Sequence, residues 1–362
     1  MKNIEYLLAL HSVHGLGPVR LKNLLDYFKD PKIIWEISEK EILARGIFPS
    51  VVANLKLARK TLDPEKYHDG ILKSGIKILT IYDEAYPKLL KEIYDPPIIL
   101  YYLGEILPSD KKTIAIVGTR KITGYGEIIT KKFATDLANS GLTIVSGLAH
   151  GVDTCAHKAV VEAKGRTLAI LGGGLKNIFP PENIKLAYKI AEGFGAVISE
   201  FAPDEPSLPG NFPARNRIIS GLSLATLVTE AAEDSGSLIT AKLALDQGRE
   251  VFAIPGPITS ELSKGPSSLI KQGAKLVTEP AEILEELGLE RFKRKDLGIM
   301  NDIKLSEVEQ KICDSLENES QHIDDLCRSL KLSAAMVSAS LIKLEIQGLV
   351  KNLGGGNYGK IW

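Results

Sequence analysis

GNFPARNRIISGLSLATLVTEAAEDSGSLITAKLALDQGREVFAIPG, residues 210–256, reads as helix, strand, turn, helix, strand. ATLVTE and EVFAIPG are short apolar runs bounded by turn or polar residues, the pattern of buried parallel strands. Between them, EDSGSLITAKLAL is a small-residue turn running into a helix. Upstream, IISGL looks helical, and Pro213 sits where helices begin. Arg215 and Arg217 then flank Asn216 at the positive end of a helix dipole, where Asp or Glu would be expected. An anion relieves such a conflict, and helix N-termini are ready-made phosphate sites. The alternative is a pair of solvated surface arginines.

The same grammar extends outward over residues 71–290. Apolar runs recur at IKILTI (76–81), TIAIVG (113–118), LTIVSG (142–147), TLAILGGG (167–174) and AVISE (196–200), with KLV (275–277) as a short edge strand. Amphipathic stretches at 124–140, 150–164, 183–193 and 235–247 separate most of them. Alternation of this kind predicts an α/β fold with a parallel sheet covered on both faces. Ligands of such sheets bind at the carboxyl ends of the strands. Glycines mark three of those ends: Gly118, Gly147 and Gly172–Gly174.

The flanks differ. Residues 1–70 are helical in pattern, and GLGPVR (15–20) punctuates two short amphipathic helices. That run fits either a helix-hairpin-helix, whose backbone N–H groups hold phosphate, or a plain packing hairpin. A weaker second copy, ARGIFPSVVANL, lacks the Gly-x-Gly. Residues 291–304 read as a charged linker, and 305–362 as three helices and a glycine-centred hairpin, the order of a winged helix. Asp324 and Asp325 suit a helix start, and Ser333 suits an N-cap. The third helix offers Ser, Ala and a lone Lys343, which favours protein contact or weak DNA contact over base reading.

Composition narrows the partners. The 362 residues carry 45 basic and 45 acidic side chains, so any nucleic-acid contact must come from a local patch. Cys155, Cys313 and Cys327 are scattered without a CxxC pair, which argues against a zinc or disulfide framework and fits a reducing cytoplasm. Neither a secretory leader nor a membrane span is expected.

The glycine loop GTRKITGYG (118–126) follows a strand and opens a helix, yet it is neither GxGxxG nor a Walker A sequence. LTIVSG ends without the acidic residue that grips a ribose hydroxyl. What remains is a phosphate loop, Gly118 and Thr119 with the cations Arg120 and Lys121, or a structural turn. Lys176 follows the Gly172–Gly174 loop. Ser235, Gly236 and Ser237 offer hydroxyl and backbone donors at a helix start. His150, Asp153 and His157 could mimic a metal triad, but a capping Asp and a packed histidine fit the spacing better. Nucleoside-monophosphate phosphoribohydrolases carry PGGxGTxxE at a similar point; here Leu243 stands where the catalytic Glu would fall, and Glu230, Glu233 and Asp234 form no obvious acid/base pair. Tyr125, Phe179 and Phe212 are the aromatic residues placed to stack on bases.

The run VGTR, SGLAHGVDTCAHKAV, LGGGL…FP, ISEF, FPARNRIISGLS, EAAEDSGSLITAKLALDQGREVFAIPG and LIKQGAKLV closely resembles the DprA (Smf) family over roughly 75–280. The resemblance implies an extended Rossmann-like core flanked by a helix-hairpin-helix or SAM-like N-terminus and a winged-helix C-terminus. It implies a homodimer, not known for metal or nucleotide dependence, that binds single-stranded DNA and brings the recombinase RecA onto it during natural transformation; with the cysteine usage and Leu243, the expectation is a cytoplasmic, non-catalytic binder without cofactor. Carried over by motif, Arg120, Lys176, Arg215, Asn216 and Arg217 would hold the strand. KGPSSLI (264–270) departs from the family, which more often has Asn before the Leu-Ile. The rival reading is a nucleotide-binding enzyme of the phosphoribohydrolase type.

Overall fold

The computed structural model describes residues 2–289, 306–316, 320–346 and 350–360. The expected linker, 291–304, lies outside them. Residues 1–296 and 297–362 form two compact units.

The first unit opens with six helices: α1 (Ile4–His11), α2 (Pro18–Phe28), α3 (Pro31–Glu36), α4 (Glu39–Leu43), α5 (Pro49–Thr61) and α6 (Pro64–Lys73). Proline opens α2, α3, α5 and α6, where its missing N–H costs no helical bond. Leu7, Leu8, Leu10, Leu21, Leu24, Ile34 and Ile42 close the helices around an apolar centre. The two hairpin loops match in geometry. Gly15 (φ 86°) and Gly46 (φ 75°) each sit three residues before the proline that opens the next helix. Asn54 Nδ2, on α5, donates to His14 O (2.9 Å), which ties that helix to the first loop.

Strand β1 (Lys77–Thr80) follows, then α7 (Lys88–Lys91), β2 (Ile99–Gly104) and β3 (Thr113–Val117). Helix α8 (Gly124–Asn139) leads to β4 (Thr143–Ser146), α9 (Val152–Glu162) to β5 (Thr167–Ile170), and α10 (Ile184–Lys189) to β6 (Gly195–Ser199). After α11 (Asn211–Gly221) come β7 (Ala225–Val228), α12 (Gly236–Asp246), β8 (Glu250–Ala253), α13 (Lys264–Lys271), β9 (Lys275–Leu276) and α14 (Pro280–Glu286). Among the described residues these strands make one sheet in the order β1-β2-β6-β5-β4-β3-β7-β8-β9. Neighbours from β6 to β9 are parallel. Strand β2 was not expected from the sequence; it runs antiparallel to both β1 and β6 and so extends the sheet without a crossover helix.

Alternation along β3 builds the two covering layers. Ile114 and Ile116 pack with Phe133 and Leu137 of α8. Ala115 and Val117 pack on the other face with Ile218 and Ile219 of α11. The chain steps from β3 to β6 in one direction, then returns across the sheet to β7 on the far side of β3. That reversal is a topological switch point, and sheets of this kind take their ligands there, at the carboxyl ends of β3 and β7.

The second unit runs α15 (Glu307–Ser315), β10 (Gln321–His322), α16 (Ile323–Leu330), α17 (Ala334–Ile346), β11 (Val350–Gly354) and β12 (Asn357–Lys360), a winged helix. Asp324 and Asp325 fall in the first turn of α16, and Ser333 Oγ accepts from Met336 N–H (3.4 Å). Lys343, the cation expected on the third helix, is paired to the buried carboxylate of Glu309 at 2.7 Å. Its charge is spent inside the domain, and Ala335, Met336, Ala339 and Ile342 lie exposed beside it.

Candidate nucleic-acid interface

The loop after β3 is held by its neighbours and aims its cations outward. Thr119 N–H donates to Glu230 O (2.6 Å), Val152 N–H donates to Thr119 O (3.1 Å), and Lys121 N–H donates to Thr119 Oγ1 (3.1 Å). Gly118 is glycine because a Cβ there would come within 2.6 Å of Val152 and 2.7 Å of the Glu230 carbonyl. Gly151, at φ 74°, lets the next helix pass over the same loop. Arg120 and Lys121 are left exposed. The Arg120 guanidinium stands 5.3 Å from the ring centre of Phe212. Phe212 in turn lies over Gly172, whose missing Cβ would meet the ring at 2.8 Å, and its centroid is 5.9 Å from that of Phe179. A cation and two aromatic rings therefore line the carboxyl ends of β3 and β5. Phe179 keeps 47% of its surface exposed. Tyr125 Oη donates to Pro255 O (2.6 Å), so its polar end is engaged while its ring stays exposed.

Lys176 lies on the same loop as Phe179 and is exposed, but it pairs with Asp204 at 3.0 Å. The glycines before it serve packing. Gly173 faces Ser207, and Gly174 faces the carbonyls of Ala202 and Pro203, each too close for a Cβ.

Arg215 and Arg217 do not sit where the sequence placed them. Helix α11 begins at Asn211, two residues before Pro213, so both arginines fall beyond the first turn and meet no dipole conflict there. They are neither strand-facing cations nor solvated ones, for both are buried, at 3% and 6% exposure. Arg215 Nη1 donates to Gly147 O (2.7 Å) and to Ile170 O, bolting together the ends of β4 and β5. Burial pulls its pKa down to about 10, with nearby Asp153 pushing it back up and Arg120 lowering it further. Arg217 makes a two-pronged contact with Glu200 (2.6 Å on each prong) and a third with Asp95 (2.8 Å). Burial works against its charge, but those carboxylates hold its pKa above the usual arginine value. Pairing and hydrogen bonds of this kind offset the cost of burying an ion. The expectation that both arginines hold the strand is therefore corrected: their guanidinium groups are taken up by internal acceptors.

Asn216 does reach the turn expected beside it, donating from Nδ2 to Gly236 O (3.3 Å). The Ser235–Ser237 turn is largely self-satisfied. Ser235 Oγ caps α12 by accepting from Ser237 N–H (3.4 Å), and the two hydroxyls bond each other at 2.7 Å. Exposed Glu233 and Asp234 precede it, a poor setting for phosphate. Asp153 Oδ2 accepts from the N–H groups of Gly147 (3.0 Å) and Ala149 (3.3 Å), and His157 Nδ1 bonds Thr167 Oγ1 (2.7 Å) inside the core. No cluster of metal-ligating side chains occurs among the described residues. No helix among them is long and apolar enough to cross a membrane.

A cavity of about 810 Å³ opens between the Gly15–Pro18 hairpin and the 200–208 loop. Asp95, Glu200, Asp204 and Glu205 line it together with His11, His14, Arg20 and Arg217, and three of those acids are already paired, Asp95 and Glu200 with Arg217 and Asp204 with Lys176. The exposed cations Arg120 and Lys121 lie elsewhere, at the carboxyl end of β3. Sequence reasoning named the cations and rings of this surface but missed the carboxylates that neutralise buried Arg217. The only sequence signal for them was Glu200, an acid closing an apolar strand.

Residues 77–288 match the family described as DNA recombination-mediator protein A, and residues 300–356 match the DprA winged helix domain. This chain belongs to the DprA family. Smf of Synechocystis is 34% identical over 400 residues, covering 99% of each chain. Smf of Escherichia coli is 52% identical over 204 residues, 56% of this chain and 54% of that protein, so the chain spans about half of that relative. The crystal structure of DprA from Streptococcus pneumoniae superposes with a TM-score of 0.67 at 37% identity, covering 79% of this chain and 99% of that one. DprA from Helicobacter pylori, whose structure is described as showing a unique single-stranded DNA binding mode, gives 0.53 at 31% identity, covering 59% and 95%. DprA-family membership and the α/β core with its winged helix thus agree with the resemblance read from the motifs.

Proposed function

We propose that this DprA-family protein binds single-stranded DNA without catalysis, as a homodimer, and hands the strand to the recombinase RecA during recombination of incoming DNA. The observation that carries the reading is the exposed Arg120–Lys121 pair, set on a braced loop beside Phe212 and Phe179. Arginine suits bidentate phosphate contact, and aromatic faces accept any base. The single-strand binding mode described for the Helicobacter pylori relative supports it. Lys176 adds a third cation once Asp204 yields it. Gly118, Thr119, Asn216 and the Ser235–Ser237 turn shape the crevice behind these contacts. With a net charge of zero, affinity rests on few phosphates, so the salt slope per protomer should be shallow, about −2 for three contacts. Pairing two protomers on one strand raises avidity without a new contact.

Fluorescence anisotropy of a labelled oligothymidine, its duplex and a mononucleotide tests the reading at two salt concentrations. Single strands should bind best. Equal or tighter binding of the mononucleotide, with turnover, would instead support the phosphoribohydrolase reading. Sedimentation at micromolar concentration tests the dimer, and the rate of RecA assembly on the strand tests the hand-over.

A further inference from the structure

A Rossmann-like crevice usually takes a nucleotide phosphate at the start of the helix that follows its first strand, where backbone N–H groups and the helix dipole meet. Here that helix is α8, and its start is already occupied. The side chain of Glu230, from the end of β7, reaches across the switch point. Its Oε2 accepts from Thr123 N–H (3.0 Å), and its Oε1 accepts from Thr123 Oγ1 (2.6 Å). Thr123 Oγ1 accepts in turn from Gly126 N–H (3.1 Å), so the carboxylate and its relay cap the first turn. Gly126 makes the room: a Cβ there would stand 2.0 Å from Glu230 Oε2. In a dinucleotide site a glycine plays that part for the pyrophosphate. Glu230 is buried, at 3% exposure, and pairs with no basic side chain among the described residues. Its hydrogen-bond donors are those of the helix start.

We propose that Glu230 is an internal stand-in for a nucleotide phosphate, filling the anion subsite of the crevice so that the protein rejects mononucleotides and accepts only backbone lying along Arg120 and Lys121. The inference rests on the single-strand reading above and names the residue that sets its ligand class. A second negative charge at the start of α8 would be repelled by the first, whereas the outer cations stay available to a polymer. Glu230 is thus a specificity-determining residue that need not touch the bound strand.

The test uses the full chain as wild type, Glu230→Gln and Glu230→Ala. Inorganic phosphate and dAMP are titrated by calorimetry, and a labelled oligothymidine by anisotropy. Wild type should take up neither small anion at millimolar concentration. Glu230→Ala should bind inorganic phosphate at least ~10-fold more tightly than wild type, and Glu230→Gln, which keeps the shape and loses the charge, by a smaller factor. Oligothymidine affinity should stay within ~3-fold of wild type in both. If Glu230→Ala folds poorly, phosphate but not chloride should raise its melting temperature, which reads the same gain through stability. Folded variants as blind to phosphate as wild type would overturn the proposal, as would millimolar dAMP binding by wild type. Failure of the single-strand reading would show separately, as absent oligothymidine binding by wild type, and would leave the phosphate arm interpretable.

Discussion

Arg120 leaves the end of β3 on a loop pinned from beneath and stands exposed over Phe212. Arg215 and Arg217 leave α11 toward the sheet and reach almost no water. In sequence the two groups are equivalent: basic residues beside helix starts in a glycine-rich α/β frame. What separates them is the set of acceptors each meets. Arg120 has no ion-pair partner among the described residues, whereas Arg217 meets two carboxylates and Arg215 meets two strand-end carbonyls. A basic motif therefore marks a binding surface only after its internal acceptors have been counted.

The sharpest way to break this contrast is at Arg217. Arg217→Ala leaves the buried Glu200 unpaired and should cost about 3–5 kcal/mol, read as a lowered urea midpoint. Arg215→Ala should cost less, about 1–3 kcal/mol, because it strands carbonyls and not a paired carboxylate. If either variant melts like wild type and only loses oligonucleotide affinity, the division into braces and contacts is wrong. Arg120→Ala should do the reverse: binding of single strands should weaken about 10- to 100-fold, worth ~1.5–3 kcal/mol, with the melting temperature unchanged.

Lys176 tests the middle ground. Since Asp204 already holds it in the free protein, Lys176→Ala should weaken binding only a few-fold and flatten the salt slope by about 0.7. Asp204→Asn should strengthen binding by releasing the same lysine, and anisotropy titrations across salt check both.

The core adds a pH dependence that is independent of the cleft. Burial drops the His157 pKa from 6.5 to about 3. Its Nδ1 faces Thr167, whose hydroxyl donates to Ile144 O, so Nδ1 carries the proton and a charged ring would have to bury a second one at Nε2. The unfolded chain binds that proton more readily, so this contribution to stability is full above pH 6.5 and lost as pH falls toward 3. Denaturation midpoints measured from pH 7 to 4 should decline, and less steeply in His157→Gln.

The sheet was legible because each parallel strand is a compact apolar run closed by glycine or a polar residue, and each helix between them keeps its own period. Strand β2 was not, since its pairing with β1 and β6 involves no crossover helix to announce it. For the candidate site, Arg120, Lys121, Phe179 and Phe212 were legible as residue types at strand ends. The fate of Arg217 was not, because its partners lie 17 and 122 residues away along the chain. The role of Glu230 was hidden for the same reason: its acceptor contacts are 107 residues upstream. Distance along the chain, more than chemistry, decided what could be read.

The Arg215 bolt also has a consequence for how this chain can vary. Its guanidinium fills the space where a Gly147 side chain would stand, at 2.6–2.7 Å from the missing Cβ. The two positions, 68 residues apart, are one steric unit. Substituting Gly147 alone collides with the guanidinium, and removing Arg215 alone leaves a void and bare carbonyls. A small side chain at 147 becomes admissible only once 215 has shrunk, so a double-mutant cycle across the pair should be strongly non-additive. A tolerated change at this corner of the sheet should therefore come as a linked pair of substitutions, although neither residue faces the outside.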